Sequence, residues 1–355
     1  MSNPYWNLNR DLFNEKKDRL IGLFQVKYEF NDWINLQVRG SMDKTMEKTE
    51  RKVYNDTYTT YGLGSIYDVG DYIRQNSNVD ALLSINKGLS EKLDLSVILG
   101  GAVQQGYSSS MFIESNGLYK QNYFFLSNAK APLTSNSLYK SPQVQSLFGT
   151  ATLSYNDYLF LEATGRNDWS SALPKDNQSY FYPSVGLTGI VSEMLSMPSW
   201  VSYGKVRASL AYSGSGGAAY RDRNYYSVGR GGLIGTPTVR SLPTYKPEMT
   251  SAFELGTEWR FFDARLGFDF TYYYTDTKNQ LITIATPAAS LFSSQYINAG
   301  LINNNGVEIS MDIVPVETKD FVWDAMFNFS KNNNKIIRLT DEITSAVLTD
   351  DRQVL

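Results

Sequence analysis

The chain has 355 residues, a formal charge of −3, 42% hydrophobic and 14% aromatic residues, and neither cysteine nor histidine. A disulfide framework, thiolate metal sites, Ser-His-Asp chemistry and the usual zinc sites are therefore excluded, while a paired-carboxylate glycosidase is not. The near-neutral charge leaves no footprint for nucleic acid.

The predicted elements are strands, read by their period of two. Residues 19–30 and 33–43 form a hairpin around Asn31-Asp32. Residues 79–89 and 92–104 form the next around Ser90-Glu91, with Leu93, Leu95, Val97 and Leu99 on one face. The third, 144–155 and 158–168, turns on Asn156-Asp157. It puts Leu159, Leu161 and Ala163 on one face, Glu162 and Arg166 on the other. Strands near 180–191 and 203–213 flank "SEMLSMPSW", where a turn near 191–197 gives the main helical signal.

The C-terminal part has the sharpest pattern. Phe253, Leu255, Thr257, Trp259 and Phe261 oppose Glu254, Gly256, Glu258 and Arg260. After a turn at 262–264, Leu266, Phe268, Phe270, Tyr272 and Tyr274 oppose Arg265, Asp269 and Thr271. Val307, Ile309, Met311 and Ile313 oppose Glu308, Ser310 and Asp312. Phe321, Trp323, Ala325, Phe327 and Phe329 oppose Asp324 and Asn328. About twelve strands result, each near the roughly 9–11 residues that a tilted transmembrane strand needs.

Short turns at 31–32, 90–91, 156–157, 262–264 and 315–320 alternate with long polar stretches at 44–78, 105–143, 169–179, 214–247 and 278–305. That is the layout of an antiparallel transmembrane β-barrel of the outer-membrane type. No run reaches the ~18 apolar residues of a membrane helix. The 25 Tyr, 18 Phe and 6 Trp suit strands and aromatic girdles. A soluble sandwich or solenoid shares the alternation, but its strands are shorter, about 5–6 residues, and it seldom needs several loops beyond about 12–15.

On the barrel reading Glu162, Arg166, Glu254, Glu258, Arg260, Asp269, Glu308 and Asp312 line a wetted lumen. The alternative makes a catalytic carboxylate set of those in the C-terminal strands. The Gly-rich stretch 214–235 lacks the Gly-Lys-Ser/Thr ending of a phosphate loop. Tyr107, Tyr119, Tyr123, Phe124, Tyr220, Tyr225 and Tyr226 lie in the expected loops, where they either contact a ligand or partner or pack the loop.

Ordered segments resemble one family, the SusC/RagA class of TonB-dependent outer-membrane transporters of Bacteroidetes. "YLFLEATGRNDWSS" and "YFYPSVGLTGIVSE" are similar to its R-x-D-x-S-S loop and its next strand entry, placing family-motif residues at Arg166, Asp168, Ser170, Ser171 and Pro183. "YKPEMTSAFELGTEWRFFDARLGFDFTYYYTDTKNQL" resembles its K-P-E (Lys246, Pro247, Glu248) and E-x-G-x-E series. "NAGLINNNGVEISM" and "FVWDAMFNFSKNNNKIIRL" resemble the closing segments, and "NPYWNLNR" also fits. Trp169 departs from the small residue usual there.

The resemblance implies a 22-stranded barrel, of which about twelve strands are present. The chain is then a single segment, 1–355, of that barrel, without plug domain or signal peptide ("MSNPYWNLNR" has no apolar h-region), and with later strands missing beyond "DDRQVL". It implies active import of an oligosaccharide or oligopeptide, a SusD-like surface lipoprotein, and TonB-ExbB-ExbD acting through the plug segment. The hydrocarbon face would meet outer-membrane lipid. Catalytic residues, cofactors and metals are not implied. A surface carbohydrate-binding or adhesin β-protein without transport is the alternative.

Overall fold

Small polar side chains end the strands at the hairpin turns. Asn156 and Asp157 take φ of 50° and 58°, the left-handed pair that a tight hairpin turn requires and that Asn and Asp tolerate. Asn31 Oδ1 accepts from the backbone N–H of Trp33 and Ile34 at 3.0 and 2.8 Å, an Asx turn. Ser90 Oγ accepts from the Lys92 N–H at 3.3 Å.

A computed structural model describes residues 3–58, 62–229 and 232–339. In chain order come helix α1 (Pro4–Arg10), β1 (Asp11–Asn31), β2 (Ile34–Val53), β3 (Ile66–Ser90), β4 (Leu93–Glu114), β5 (Leu133–Lys140), β6 (Val144–Tyr155), β7 (Leu159–Ser170) and β8 (Ser179–Ile190). Next are the one-turn helix α2 (Val191–Met194), β9 (Val201–Ser215), the short β10 (Ser227–Val228), β11 (Ile234–Gly235) and β12 (Val239–Arg240), and finally β13 (Glu248–Phe261), β14 (Leu266–Ala285), β15 (Ser294–Glu317) and β16 (Val322–Arg338). The twelve long strands are those expected, in order, and the fold is all-β and antiparallel apart from the two-residue β12–β15 pairing. The ending "DDRQVL" lies outside the described residues.

Two compact units divide the chain. One comprises Met1–Val26, Val38–Asp80 and Val103–Gln143; the other comprises Lys27–Gln37, Ala81–Ala102 and Val144–Leu355. The first contains α1, β5 and the larger parts of β1–β4, those away from their hairpin turns. In the second, β6-β7-β8-β9-β13-β14-β15-β16 pair in succession. Its turns hydrogen-bond along one edge: Asn86 to Trp33, Asn156 to Lys92, Ile190 to Tyr158, Phe262 to Trp200 and Val314 to Arg265, each backbone N–H to O at 2.7–2.8 Å.

Register fixes which residues share a face. One row on the second unit's sheet reads Leu153, Leu161, Leu187, Ala208, Leu255, Tyr272, Val307. Closer to the turns runs Trp259, Phe268, Met311, Phe327. Rings crowd this edge: Trp200 stacks on Phe261 at 5.6 Å, and Tyr155 meets Tyr158 edge-on at 5.7 Å. Among the described residues only nine hydrophobic side chains are buried, while Leu161, Leu187, Leu255 and Phe327 are all exposed. A soluble domain of this size would cover such a face.

The strands are longer than the expected 9–11 residues; β3 has 25 and β15 has 24. The stretches 44–78, 105–143 and 278–305 are accordingly not loops throughout. β2 runs to Val53 and β3 starts at Ile66. β4 runs to Glu114, and β5 takes up residues 133–140 of the second stretch; β14 and β15 leave only 286–293 between them. The apolar alternation stops there while the backbone ladder continues. Polar cross-strand pairs hold it: Asn334 donates to Asn304 at 2.7 Å, and the hydroxyls of Thr250 and Thr277, and of Ser110 and Ser137, lie 2.9 and 2.7 Å apart. Hydrophobic period is blind to a strand with two wet faces.

Candidate functional site

On the second unit's sheet the charged residues expected to line a lumen all fall on the face opposite the leucine row. Glu162, Gly186, Ser209 and Glu254 form one register row; Arg207, Gly256, Thr271 and Glu308 form the next; Lys205, Glu258 and Asp269 the one after; Arg260, Gly267 and Asp312 the last. Glu258 and Asp269 stand directly opposite each other, which by itself destabilises the pair. Two cations offset it. Lys205 Nζ lies 2.6 Å from Glu258, and Arg207 donates twice to Asp269 at 3.1 Å and once to Thr271 at 2.7 Å. Arg260 bonds both oxygens of Asp312 at 2.8 and 2.7 Å and reaches Glu258 at 3.5 Å.

The expected residues thus separate into two groups. Glu258, Arg260, Asp269 and Asp312 are joined, through Lys205 and Arg207, into one network. Glu162, Glu254 and Glu308 stand on the same face with no hydrogen bond or ion pair among the described residues. Lys205 and Arg207 were missed, although "GKVRAS" places them two apart on one strand.

At the other end of β7 the motif residues build a buried polar junction. Arg166 Nε donates to Asp168 Oδ1 at 2.8 Å and Nη2 to Ser146 Oγ at 2.8 Å; Tyr182 donates its hydroxyl to Asp168 Oδ2 at 2.6 Å. The Arg166 guanidinium lies 5.4 Å from the centroid of the Phe148 ring. Asp168 is 5% exposed and Ser170 2%, so the carboxylate depends on these partners. Ser171 is exposed. β9 pairs with β8 only from Ser184 onward, so Pro183 stands where β8 has a neighbour on one side, the position a residue without an N–H tolerates.

Leu173, Tyr180 and Tyr245 form a small core beside this junction, with Tyr182, Leu242, Met249 and Leu281 packed on it. It ties the loop 216–247 to the strands. A Cβ on Gly216 would come within 2.6 Å of Ser170 Oγ, and Gly217, at φ 65°, lies under the Tyr245 hydroxyl. Asn177 Nδ2 donates to the Tyr245 carbonyl at 2.9 Å. Lys246 N–H donates to Asn298 Oδ1 at 3.0 Å, Asn298 Nδ2 returns a bond to the Lys246 carbonyl at 3.1 Å, and Asn279 reaches the Pro247 carbonyl at 3.4 Å. Glu248 opens β13 opposite Ser215. Motifs separate in sequence therefore meet at one loop base.

In the first unit the loop after β4 is fixed by Asn128. Its Oδ1 accepts from Lys120 N–H at 3.0 Å, and its Nδ2 donates to the carbonyls of Lys120 and Tyr123 at 2.8 Å each. Ser115 closes the base: its N–H donates to Asp68 Oδ1 at 3.2 Å, and its Oγ accepts from Tyr67 N–H at 2.9 Å. Tyr119 and Tyr123 point outward, 73% and 51% exposed, with Lys120 Nζ 3.9 Å from the Tyr123 ring centroid. One expected loop position is corrected here, and Phe124 takes the packing role that the sequence left open. Tyr107 is a strand residue, opposite Lys140 of β5, because β4 outlasts its apolar alternation. Phe124 packs against Tyr54 and Tyr67 at 4.9 and 6.3 Å; its ring holds the loop down rather than facing outward. In the second unit Tyr220 and Tyr225 meet edge-on at 5.2 Å, and Tyr226 is exposed.

Burial raises the Asp68 carboxyl above its ordinary value; the Ser115 N–H opposes this, Glu114 and Asp11 add to it, and Arg51 opposes it. Burial, with the hydrogen bond to Glu50, pushes the Tyr67 phenol up to about 12. A raised carboxyl means that the fold disfavours the ionised form. Stability therefore falls as pH rises from the ordinary Asp value, about 3.9, through the higher folded value. Asp68→Asn keeps the acceptor for Ser115 and removes that dependence. The expected outcome is slower exchange of the Ser115 amide in the variant at pH 7, with the difference vanishing below about pH 4. Faster exchange at pH 7 would show the charge to be stabilising.

A sheet with one hydrocarbon face, one charged face and its hairpin turns along one edge defines a transmembrane β-sheet protein of the outer-membrane type. The family described as TonB dependent receptor-like, beta-barrel, matches residues 2–353, and the chain belongs to that family. It is 25% identical over 358 residues to TonB-dependent receptor P26 of Formosa agariphila, covering 95% of this chain and 36% of that protein. It is 26% identical over 354 residues to TonB-dependent receptor SusC of Bacteroides thetaiotaomicron, covering 93% and 34%. The chain thus spans about a third of these relatives. The RagAB peptide transporter shares the fold, with a TM-score of 0.89, 20% identity, and 98% of this chain aligned to 39% of that one. The SusC/RagA resemblance read from the motifs is borne out.

Proposed function

We propose that the chain is part of the barrel wall of an outer-membrane transporter that imports a large nutrient, an oligosaccharide or oligopeptide. The observation that carries this is the two-faced sheet: an exposed leucine and aromatic face, backed by a face of internally paired charges, with almost no core. Support for the peptide reading comes from the fold shared with RagAB, a peptide transporter, and the relative SusC, a TonB-dependent receptor, supports the receptor class. On this reading Glu162, Arg166, Glu254, Glu258, Arg260, Asp269, Glu308 and Asp312 face the lumen. The loops bearing Tyr119, Tyr123, Tyr220, Tyr225 and Tyr226 meet substrate, a SusD-like surface lipoprotein, or both. TonB-ExbB-ExbD acts through a plug segment carried elsewhere in the full-length protein.

The chain contains no cysteine, so introduced thiols report topology directly. In the full-length protein on intact cells, an impermeant maleimide is expected to label cysteines at Ser110 and Ser227 and to spare Asp157 and Asp263. The reverse pattern would invert the topology and remove the loops from substrate capture. Uptake of labelled oligosaccharides and oligopeptides, with and without TonB, then separates transport from a surface adhesin, for which loss of TonB changes nothing.

A further inference from the structure

Three register rows on the charged face share one arrangement: a long polar side chain, a glycine on the next strand, and a polar partner on the strand after that. Arg207 of β9 lies opposite Gly256 of β13, which lies opposite Thr271 of β14. Arg207 crosses that glycine to bond Thr271 and Asp269. Arg260 of β13 lies opposite Gly267 of β14, which lies opposite Asp312 of β15; Arg260 crosses it to bond Asp312. Tyr273 of β14 lies opposite Gly306 of β15, which lies opposite Asn332 of β16, and the Tyr273 hydroxyl donates to Asn332 Oδ1 at 3.2 Å.

We propose that Gly256 and Gly267, with Gly306 repeating the pattern, are floors for bridges that skip a strand and lock the register of β9 through β16. Each bridge spans two strand spacings, about 9–10 Å, and needs the middle position empty. A Cβ on Gly256 would come within 2.5 Å of Arg207 Nε. One on Gly267 would overlap Arg260 Nη1 and Asp312 Oδ1. One on Gly306 would come within 2.5 Å of the Tyr273 hydroxyl, and would also meet the Lys331 carbonyl. Glycine weakens a strand on its own account, through backbone entropy and a missing side chain, so three on successive strands require a reason. The bridges supply it. Gly256 and Gly267 each seat an arginine whose charge is satisfied two strands away, and successive bridges step one strand along the sheet. A one-residue slip of any strand would break the bridges and turn the charges to the opposite face. Gly186 is the internal comparison: it stands between Glu162 and Ser209 in the same kind of row, but no bridge crosses it, and a Cβ there would meet nothing closer than 4.0 Å.

The test is a double-mutant cycle on the full-length protein in outer membranes, read as the temperature at which its compact, SDS-resistant form is lost. Gly267→Ala is expected to lower stability, by about tenfold in the folding equilibrium, the scale of one charge-assisted hydrogen bond. In an Arg260→Ala background the same change should cost nothing or raise the midpoint, because the bridge it obstructs is gone. Gly256→Ala should behave likewise with Arg207→Ala, and serves if Gly267→Ala does not assemble. Gly186→Ala should be silent or stabilising. Equal losses from Gly267→Ala and Gly256→Ala whether or not the arginines are present would overturn the proposal, since the glycines would then be required by the backbone alone.

Discussion

Phe270→Arg is expected to prevent assembly of the folded protein, while Ser209→Arg on the opposite face leaves assembly intact. Phe270 shares a row with Val206, Thr257, Ile309 and Phe329, between the ring-rich turn edge and the polar ends of the strands. An arginine at the middle of a lipid-facing strand costs about 2–4 kcal/mol, falling toward zero near the interfaces. That is a large part of the net stability of a typical fold. Ser209 lies in the row that holds Glu162 and Glu254. An arginine there meets two carboxylates that have no other ion pair, so its charge is offset where it lands. The amount of SDS-resistant protein in outer membranes, before and after heating, reads both variants. If Ser209→Arg abolished the folded form and Phe270→Arg preserved it, the two faces would be assigned the wrong way round.

That face assignment was legible in the sequence because it depends on a single parity per strand. "ELGTEWR" and "VEISMDI" place every charge at an even position, with only Gly256 and Ser310 between them on that face, and a strand sends alternate residues to opposite faces. Turn positions were legible for a similar reason: Asn-Asp and Ser-Glu pairs interrupt the alternation where the backbone needs short hydrogen-bonding side chains. Strand length was not legible. Beyond the apolar band Asn303, Asn304 and Asn305 pair with Lys335, Asn334 and Asn333 through backbone bonds and asparagine side chains, and such a ladder has no hydrophobic signature. The resemblance named Arg166 and Asp168 from one local segment, whereas the partners that the structure gives them, Ser146 and Tyr182, come from two other strands. Pairing across the sheet, which no local pattern encodes, is what brings them together. Phe124 shows why two roles stayed open in the sequence, because an aromatic residue in a loop reads alike whether it faces solvent or holds the loop to its base.

Asp168→Ala should loosen the whole loop base rather than one contact. Its carboxylate is nearly inaccessible and accepts from Arg166 Nε and from the Tyr182 hydroxyl through different oxygens. Removing it leaves the guanidinium with Ser146 and the stacked Phe148, and leaves a half-buried phenol without its acceptor. Deleting one partner of a fully buried charged pair costs about 3–5 kcal/mol. The Arg166 side chain is 40% exposed, so solvent screens it and the loss falls below that range, while still exceeding the about 1 kcal/mol of a neutral hydrogen bond. Asp168→Asn retains an acceptor for Tyr182 and loses only the charge, so it should cost markedly less. The consequence extends along the chain because Tyr180 and Tyr182 stack at 6.0 Å, and Tyr180 shares its small core with Tyr245, which anchors the loop 216–247. Limited proteolysis of the full-length protein in membranes should therefore cut that loop faster in Asp168→Ala, with a smaller change in Asp168→Asn and none in Lys175→Ala, whose side chain is exposed. If cleavage in the loop were unchanged while the heat stability of the sheet fell, Asp168 would be supporting the strands alone, and the loop base would be held by Tyr245 and the Lys246–Asn298 pair without it.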